Sequence, residues 1–256
     1  MSLNIKKKTS KSENDFLFGI RALIEAVRSG KTLDKVLIQK GLNNPLINEL
    51  YQLLAEREVP ISKVPIEKLN RITRKNHQGA IGFISPIDFV PITNVVMSAF
   101  EKGEDPFIII LDRVTDVRNF GAIARTAECV GAHGILVPAK GAAQISSDAM
   151  KTSAGALNYI PVSRENNLKD TIMQLKDSGL RIFACTEKSS ELLYEATLSG
   201  PIAIIMGSEE DGVSPAYLKL CDGAVRIPLK GQIDSLNVSV ATAVVAYEVA
   251  RQRSLQ

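Results

Sequence analysis

Continuous apolar runs alternate with amphipathic stretches over much of the 256-residue chain. Runs of four or five apolar residues are typical of strands that are buried on both faces of a parallel sheet. Five runs that are wholly or largely apolar follow residue 105, and they begin at Phe107, Gly134, Arg181, Ile202 and Ala224. Helical stretches lie between most of them. This alternation predicts an α/β domain in which helices cover both faces of a parallel sheet.

A shorter alternation covers residues 15–90 and predicts a separate, small α/β domain. Apolar positions from Phe18 to Val27 share one helical face, and Gly30 follows as a stop signal. Further helices are expected at 48–56 and 67–74, and strands at 35–39, 60–64 and 80–84.

Two polar segments flank the small domain. Residues 1–14 are polar and rich in lysine, which predicts a disordered basic tail. Residues 91–104 mix proline, threonine, asparagine and glycine with a short amphipathic stretch, and we interpret them as a linker that contains some helix. The larger domain is therefore expected to occupy residues 105–256.

Charge is unevenly distributed, although the whole chain carries a net charge of only +3. Residues 1–104 contain 16 Lys and Arg against 11 Asp and Glu, whereas residues 105–256 contain 15 against 17. The first part is the better candidate for phosphate contacts, although a mildly basic surface without a partner explains the same excess. Because Trp is absent and other aromatic residues are scarce, no platform for stacking bases is evident.

The cysteines and histidines do not suggest a metal site. Cys129, Cys185 and Cys221 form no C-x-x-C pair, and His77 and His133 stand apart. Unpaired cysteines fit a reducing compartment. The N-terminal residues lack the apolar stretch of a signal peptide, and no apolar run reaches membrane-spanning length. We therefore expect a cytoplasmic protein without a metal or membrane partner.

Polar segments follow three of the predicted strands, at the edge where open α/β sheets bind ligands. In the first, residues 112–125, we predict that Asn119 caps a helix and that Gly121 admits a close neighbouring backbone. Arg125, less than two turns further on, is expected to reach a phosphate or a ribose. A capped crossover helix with a surface arginine explains the same pattern.

The second segment, residues 206–215, has two glycines and three acidic residues. It lacks the lysine of a P-loop, and its carboxylates suit a ligand with positive character, such as a sulfonium or an amine. An acidic surface turn is the alternative, with Pro215 beginning the next helix.

The third segment, residues 227–241, contains a loop shaped by Pro228 and Gly231, and Ser235 is predicted to cap the helix that follows. Apolar residues surround that helix almost completely, which predicts a buried helix. Asn237 and Ser239 on it need polar partners, and local hydrogen bonds within a capped core helix would satisfy them.

Together the three segments resemble the SpoU (TrmH-like) family of RNA ribose 2′-O-methyltransferases. The family pattern N-x-G-x-x-x-R is found at 119–125, G-x-E-G-x-G at 207–212, and P-x-x-G-x-x-x-S-L-N-V-S-x-A at 228–241. Glu210 stands where the second pattern usually has glycine, and Val117 stands where proline is frequent in the first. The third pattern is the most specific of the three.

Residues 15–90 resemble the RNA-binding domain of this family, which is similar to ribosomal protein L30e. Phe18-Gly-Ile-Arg-Ala and His77-Gln-Gly-Ala-Ile carry this resemblance. The two-domain layout resembles members that methylate a guanosine in 23S rRNA. The residues expected to contact RNA are Arg71, Arg74, Lys75 and His77. A solvated helix end with favourable cations explains this cluster equally well.

The resemblance implies a methyltransferase domain with a deep trefoil knot, a homodimer formed through that domain, and S-adenosylmethionine as cofactor. It also implies cofactor contacts through backbone groups around Gly207, Ile227, Leu229 and Leu236. Arg125 is the implied catalytic residue. Because an ordinary arginine is a poor base, we expect it to bind the neighbouring phosphate and the 2′-oxygen. The residues expected to hold Arg125 and the ribose in place are Asn119, Glu209, Ser235 and Asn237.

The resemblance favours 23S rRNA as the substrate, with tRNA as the second candidate and an rRNA site linked to antibiotic resistance as the third. A different class of function is a non-catalytic RNA-binding or ribosome-assembly protein with the same fold. Loss of Arg125, Asn237 or the serine of the third motif would favour that class, and all of them are present.

Overall fold

The computed structural model describes residues 16–255 and divides the chain into two compact units, one ending at Ser85 and the other beginning at Pro86. The predicted tail, residues 1–14, lies outside the described residues. The boundary precedes the expected one at 90, because Phe89 and Val90 pair with the second unit. The Val90 amide donates to the Val162 carbonyl at 3.0 Å, and Phe89 forms a parallel bridge with Val162.

The first unit is a small α/β domain built on a four-stranded mixed sheet. Its elements are β1 (Phe16–Phe18), α1 (Ile20–Arg28), β2 (Leu33–Gln39), α2 (Pro45–Glu56), β3 (Ile61–Val64), α3 (Ile66–Ile72) and β4 (Ala80–Ile84). The strand order is β1-β4-β2-β3, with β4 antiparallel to both neighbours and β3 parallel to β2. Successive residues of β2 face opposite sides: Val36 and Ile38 pack with α1 and α2, whereas Leu37 packs with Leu69 of α3.

Two element boundaries in this unit differ from those predicted. Phe18 belongs to strand β1, because Gly19 at φ 94° separates that strand from α1. Helix α2 begins three residues before the predicted start, since Asn44 caps it by accepting the Ile47 amide at 2.9 Å and Pro45 occupies its first turn.

The two segments by which this unit resembles the family's RNA-binding domain, residues 18–22 and 77–81, lie against each other. The Gly19 amide donates to the Ala80 carbonyl at 3.0 Å, and the Ile20 amide donates to Oε1 of Gln78 at 3.2 Å. Gly79 has a φ of 80°, and a Cβ there would lie 2.8 Å from the Leu42 side chain. The turn into β4 therefore requires glycine at this position.

The second unit is an α/β domain with a parallel sheet, as predicted, and the sheet has six strands. Its elements are α4 (Ile92–Glu101), β5 (Phe107–Leu111), α5 (Val117–Cys129), β6 (Gly134–Pro138), α6 (Ser147–Thr152), a 3-10 turn (Ala156–Asn158), β7 (Val162–Glu165), α7 (Leu168–Asp177), β8 (Arg181–Cys185), β9 (Ile202–Met206), α8 (Pro215–Leu218), β10 (Gly223–Val225) and α9 (Val238–Arg253). The strand order is β10-β8-β9-β5-β6-β7, and every pairing is parallel. The five predicted strands are confirmed. Strand β7 escaped prediction because Val162 is its only apolar residue.

Two hydrophobic cores lie on opposite faces of this sheet. Ile109 of β5 packs in one core with α5, α6 and α9, whereas Ile108 and Ile110 pack in the other core with α4 and α7. The segment 91–104, interpreted as a linker, contains α4, and three residues of that helix, Ile92, Val95 and Val96, are buried in the second core. Since its apolar face is covered by the sheet, this segment is part of the second unit.

Helix α9 differs from the prediction in two respects. It begins at Val238, and Asn237 rather than Ser235 is its N-cap, because the Asn237 side chain accepts the Ser239 amide at 3.0 Å. The predicted burial on all sides is wrong: Val240 is 49% exposed and Tyr247 is 58% exposed. One side of the helix therefore faces away from the core of the described chain.

Candidate active site

The sheet places the first and second motifs next to each other. Strands β5 and β9 are neighbours, with Leu111 opposite Met206, and the Asp112 amide donates to the Met206 carbonyl at 2.8 Å. The strands that follow β5 in the chain, β6 and β7, lie on one side of this pair, and β8 and β10 lie on the other. Open α/β sheets bind ligands outside the carboxyl ends of strands at such a switch point.

The second motif forms a closed turn. Ser208 and Gly212 exchange two backbone hydrogen bonds of 3.2 and 3.0 Å. A Cβ on Gly207 would lie 2.0 Å from the carbonyl carbon of Gly212, so no other residue fits there. Glu210 is exposed at the tip and is not among the described residues with positive φ. The turn therefore does not need glycine where the family usually has it.

Each of the three motifs contributes one side chain to a polar network. Asn237 donates through Nδ2 to Oε1 of Glu209 at 2.8 Å and to Oδ1 of Asn119 at 3.1 Å, and Asn119 donates to the same Glu209 oxygen at 2.9 Å. Oδ1 of the Asn237 side chain accepts the Ser239 amide at 3.0 Å and the Ser239 hydroxyl at 2.6 Å. These bonds fix the orientation of the Asn237 amide, so that its nitrogen faces Glu209.

The start of helix α5 differs in detail from the prediction. Asp116, not Asn119, is the N-cap: its carboxylate accepts the Arg118 amide at 2.7 Å and the Asn119 amide at 3.0 Å. The Asn119 side chain is therefore available for the network. The close approach predicted at Gly121 is confirmed, because a Cβ there would lie 3.0 Å from the Ala149 carbonyl oxygen of α6.

A cavity of about 550 Å³ lies beside this network, within the size range of small-molecule sites. All four residues implied as cofactor contacts line it, together with Glu209 and Ser235. These four are Gly207, Ile227, Leu229 and Leu236. The apolar side chains suit a flat ring system, and the carboxylates of Glu209 and Asp234 in the lining suit a cationic group.

The buried thiol of Cys185 also lines the cavity. Burial raises its pKa to about 12. The thiol is therefore protonated at neutral pH, and it is a poor nucleophile because the thiolate is the reactive form.

A second, smaller cavity of about 240 Å³ shares residues 208–211 with the larger one. Asn119 and Arg113 line it as well. Glu209 borders both cavities, so the network lies between two spaces that ligand groups can enter.

Arg125 is not part of this network. It lies six residues after Asn119, which places it about 120° away around the helix axis. Its side chain is exposed and forms no hydrogen bond or ion pair within residues 16–255. Ser235 lines the larger cavity but likewise makes no side-chain hydrogen bond in the described chain. The structure thus brings together three of the five residues implied for catalysis.

The sequence patterns did not single out Asp112 and Arg113, which join the first two motifs. Asp112 is 2% exposed, and its carboxylate accepts the Ser214 amide at 2.7 Å and Nε of Arg113 at 3.1 Å. The hydrogen bond to Asp112 raises the pKa of Arg113. The same guanidinium donates to Asp211 at 2.8 Å and to the Gly212 carbonyl at 3.1 Å. The signal available in the sequence was the pair Asp112-Arg113, an acidic and a basic residue directly after an apolar strand.

The expected RNA contacts of the first unit divide into two kinds. Arg71, Arg74 and Lys75 are exposed. His77 is 7% exposed, its Nε2 lies 2.9 Å from Oδ1 of Asn70, and its Nδ1 accepts the Gly79 amide at 3.0 Å. Both ring nitrogens are therefore occupied, and the His77 ring is not available to RNA.

Within residues 16–255, no helix has the length and apolar character needed to cross a membrane. The same part of the chain contains no group of three or more His, Cys, Asp or Glu side chains arranged to hold a metal ion.

The fold and the site together define an α/β domain whose parallel sheet has a cavity large enough for a cofactor at its switch point. In the sequence, this domain follows a small domain with a mixed sheet. The family model described as the SpoU rRNA methylase family matches residues 106–247, and one described as RNA 2′-O ribose methyltransferase substrate binding matches residues 16–90. The chain is 31% identical over 242 residues to YacO of Bacillus subtilis (strain 168), which is named as a TrmH family tRNA/rRNA methyltransferase. The matched region covers 94% of this chain and 97% of YacO. The chain belongs to the SpoU (TrmH) family of RNA methyltransferases.

Solved structures agree with this assignment. A crystal structure named as an RNA 2′-O ribose methyltransferase is 27% identical, with a TM-score of 0.56 over 94% of this chain and 89% of the other. The SpoU methyltransferase AviRb from Streptomyces viridochromogenes, solved with its cofactor AdoMet, shares the fold at 23% identity, with a TM-score of 0.60 over 94% of this chain and 91% of that one.

Proposed function

We propose that the protein transfers a methyl group from S-adenosylmethionine to a ribose 2′-hydroxyl of RNA. One observation carries the proposal: Asn119, Glu209 and Asn237, one from each motif, hydrogen-bond to one another beside a cavity lined by all four implied cofactor contacts. The family assignment and the AdoMet bound to AviRb support the same cofactor.

The residues of the larger cavity fit S-adenosylmethionine by their chemistry. Ile227, Leu229 and Leu236 offer apolar surface to the adenine ring, and Glu209 and Asp234 offer negative charge to the sulfonium and ammonium groups. When bound, the cofactor supplies a methyl group on a positively charged sulfur, and the protein orients the acceptor.

The network around Glu209 orients the acceptor ribose in this proposal. Two amide groups bind Oε1, which fixes the carboxylate and directs Oε2 towards a ribose hydroxyl. The 2′-oxygen forms a bond to the methyl carbon as the carbon–sulfur bond breaks, which leaves S-adenosylhomocysteine. The hydroxyl proton passes to a neighbouring phosphate or to water.

Arg125 binds that phosphate and the 2′-oxygen in our proposal and stabilises the developing alkoxide. Its guanidinium is exposed, so it is accessible to RNA. Ser235, which lines the cavity, contributes to holding the ribose.

The first unit binds RNA in this proposal. Residues 16–85 contain 11 Lys and Arg against 6 Asp and Glu, whereas residues 86–256 contain 16 against 20. The positive charge is therefore concentrated in the unit that matches the substrate-binding family model. Arg71, Arg74 and Lys75 are the proposed phosphate contacts. We propose 23S rRNA as the substrate, and tRNA is the second candidate because YacO is named for both RNAs.

Four further features belong to the proposal. An L30e-like fold for the first unit is supported by its mixed sheet and the family match. A knot in the second unit is supported by residues 186–201, which contact Arg226 just after β10 and Gln252 near the end of α9. A homodimer through this unit is supported by the exposed Val240 and Tyr247 of α9. A cytoplasmic location is supported by the free cysteines.

Methyl transfer in vitro tests the proposed function. The purified protein is incubated with S-adenosylmethionine carrying a labelled methyl group and with separated 23S rRNA, 16S rRNA and tRNA from cells that lack the gene. We expect label in 23S rRNA that survives as an alkali-resistant dinucleotide, because a 2′-O-methyl group blocks hydrolysis. Label in tRNA alone would select the second candidate. Cofactor binding without label in any RNA would favour the non-catalytic class.

A further inference from the structure

The guanidinium of Arg113 joins two segments that are far apart in the sequence. Its Nε and Nη2 donate to the Asp112 carboxylate at 3.1 and 3.3 Å, Nη1 donates to Asp211 at 2.8 Å, and Nη2 also donates to the Gly212 carbonyl at 3.1 Å. Asp112 in turn accepts the Ser214 amide at 2.7 Å. The turn 208–212 is therefore held at its C-terminal side by a fixed acid–arginine pair at the end of β5.

The backbone of Arg113 supports a special role for this side chain. Its φ is 58°, in the left-handed region that costs a residue other than glycine about 1 kcal/mol. Four hydrogen bonds made by one guanidinium offset that cost. Such strain, compensated by specific contacts beside a site, points to a functional constraint.

The turn that Arg113 holds is a wall of both cavities. Residues 208–211 line the larger and the smaller cavity, and Glu209 within them accepts the amide groups of Asn119 and Asn237. Asp211 lies two residues after Glu209. A turn that is free to move would change the cavity wall and the position of Glu209 together.

We propose that Arg113 is a positioning residue that fixes the 208–212 turn through Asp211 and thereby sets the affinity for the cofactor. The proposal rests on the proposed function, because it takes S-adenosylmethionine as the ligand of the larger cavity. Arg113 acts through the turn and makes no cofactor contact itself: it lines only the smaller cavity.

A double-mutant cycle in the full-length protein tests this role, with the dissociation constant for S-adenosylmethionine measured by calorimetry. The variants are Asp211→Asn, Arg113→Asn and the double variant. Asparagine tolerates the left-handed region, so Arg113→Asn removes the guanidinium without adding backbone strain. Since Asp211 is 68% exposed, Asp211→Asn should fold normally, and thermal unfolding checks each variant.

We expect Asp211→Asn to weaken cofactor binding about threefold and Arg113→Asn about tenfold, as charge-assisted contacts of this exposure allow. The double variant should bind no more weakly than Arg113→Asn alone, because Asp211 has no effect once its partner is gone. Arg113→Lys keeps the charge but loses the planar fork, so its affinity should lie between those of wild type and Arg113→Asn. Arg118→Asn is the matched control, an exposed arginine of the same motif that should bind like wild type.

Additive effects in the cycle would overturn the proposal, because Asp211 would then act on the cofactor directly. Unchanged affinity in both single variants would overturn it too. Weaker binding that parallels a loss of thermal stability in every variant would show that Arg113 only supports the fold. A wild-type protein that fails to bind S-adenosylmethionine would instead contradict the proposed function.

Discussion

The side-chain amide of Asn237 joins the first and second motifs: its nitrogen lies 2.8 Å from Oε1 of Glu209 and 3.1 Å from Oδ1 of Asn119. The other end of the same amide caps helix α9 through the Ser239 amide, at 3.0 Å. One residue therefore sets the start of a helix and the orientation of a carboxylate between two cavities. This double use allows the two roles to be separated by substitution.

Asn237→Asp should abolish methyl transfer while leaving the fold intact. Aspartate still caps α9, but it replaces the amide donor with a carboxylate that repels Glu209. We expect the rate to fall by about a hundredfold or more, with the melting temperature within a few degrees of wild type. Asn237→Ala is the comparison, since it removes the cap as well and should lower stability by about 1 kcal/mol. Wild-type turnover by Asn237→Asp would show that the network is not used in the reaction.

Arg125→Ala should remove methyl transfer and leave cofactor binding unchanged. Arg125 is exposed and lies outside the network, so its loss should leave the cofactor cavity intact. Single-turnover rates and calorimetric binding of S-adenosylmethionine measure the two effects separately. Arg118→Ala is the control, because Arg118 is exposed on the same face of α5, two turns earlier. Near-normal turnover by Arg125→Ala would refute the catalytic role.

Gly207→Ala should prevent cofactor binding. The added methyl group would meet the Gly212 backbone at 2.0 Å, so the closed turn of the second motif cannot form. Calorimetry should detect no binding of S-adenosylmethionine, and the protein should be less stable. Gly103→Ala controls for the substitution itself: φ is 73° there, but no atom lies within 4 Å of the new methyl group. It should cost about 1 kcal/mol of stability and no affinity. Wild-type affinity in Gly207→Ala would contradict the assigned cavity.

The exposed cations of the first unit should carry salt-sensitive RNA binding. Changing Arg71, Arg74 and Lys75 to glutamine should weaken binding to rRNA. The negative slope of log K against log salt concentration should become shallower by about 2 to 3. Affinity for S-adenosylmethionine should stay constant. Filter binding across a salt series measures the slope, and an unchanged slope would place the RNA contacts elsewhere.

His77→Ala provides the contrast to that triple variant. It leaves Asn70 and the Gly79 amide without their partner, so stability should fall by about 1 to 3 kcal/mol. Under conditions where the variant is folded, the salt slope for RNA should match that of wild type. A shallower slope than that of wild type would show that His77 contributes to RNA binding.

Sequence patterns predicted the sheet of the second unit because its strands are buried on both faces. Ile108 and Ile109 point to different cores, yet both must be apolar, which makes β5 visible as a run. Strand β7 lies at the sheet edge, and its sequence Val-Ser-Arg-Glu has no such run. Its polar sequence thus explains why β7 escaped prediction, whereas β10, at the other edge of the sheet, was predicted.

The site was predictable as three motifs but not as a geometry. Asp116 and Asn119 are both suitable N-caps, and the choice depends on where the helix begins, which periodicity places only to within a few residues. The role of Arg113 depends on a left-handed backbone and on Asp211, 98 residues away, and neither is visible in a local pattern. The burial of His77 likewise depends on Asn70 and on the turn at Gly79.

Mapping of 2′-O-methyl groups in cellular RNA tests whether this protein methylates ribose. Total RNA from cells with the gene, without it, and complemented with wild type or Arg125→Ala is mapped by resistance to alkaline cleavage at each nucleotide. We predict that a ribose methyl group, expected at a guanosine of 23S rRNA, disappears without the gene and returns with wild type but not with Arg125→Ala. A full set of ribose methyl groups in cells without the gene, or the loss of a base methyl group instead, would contradict it.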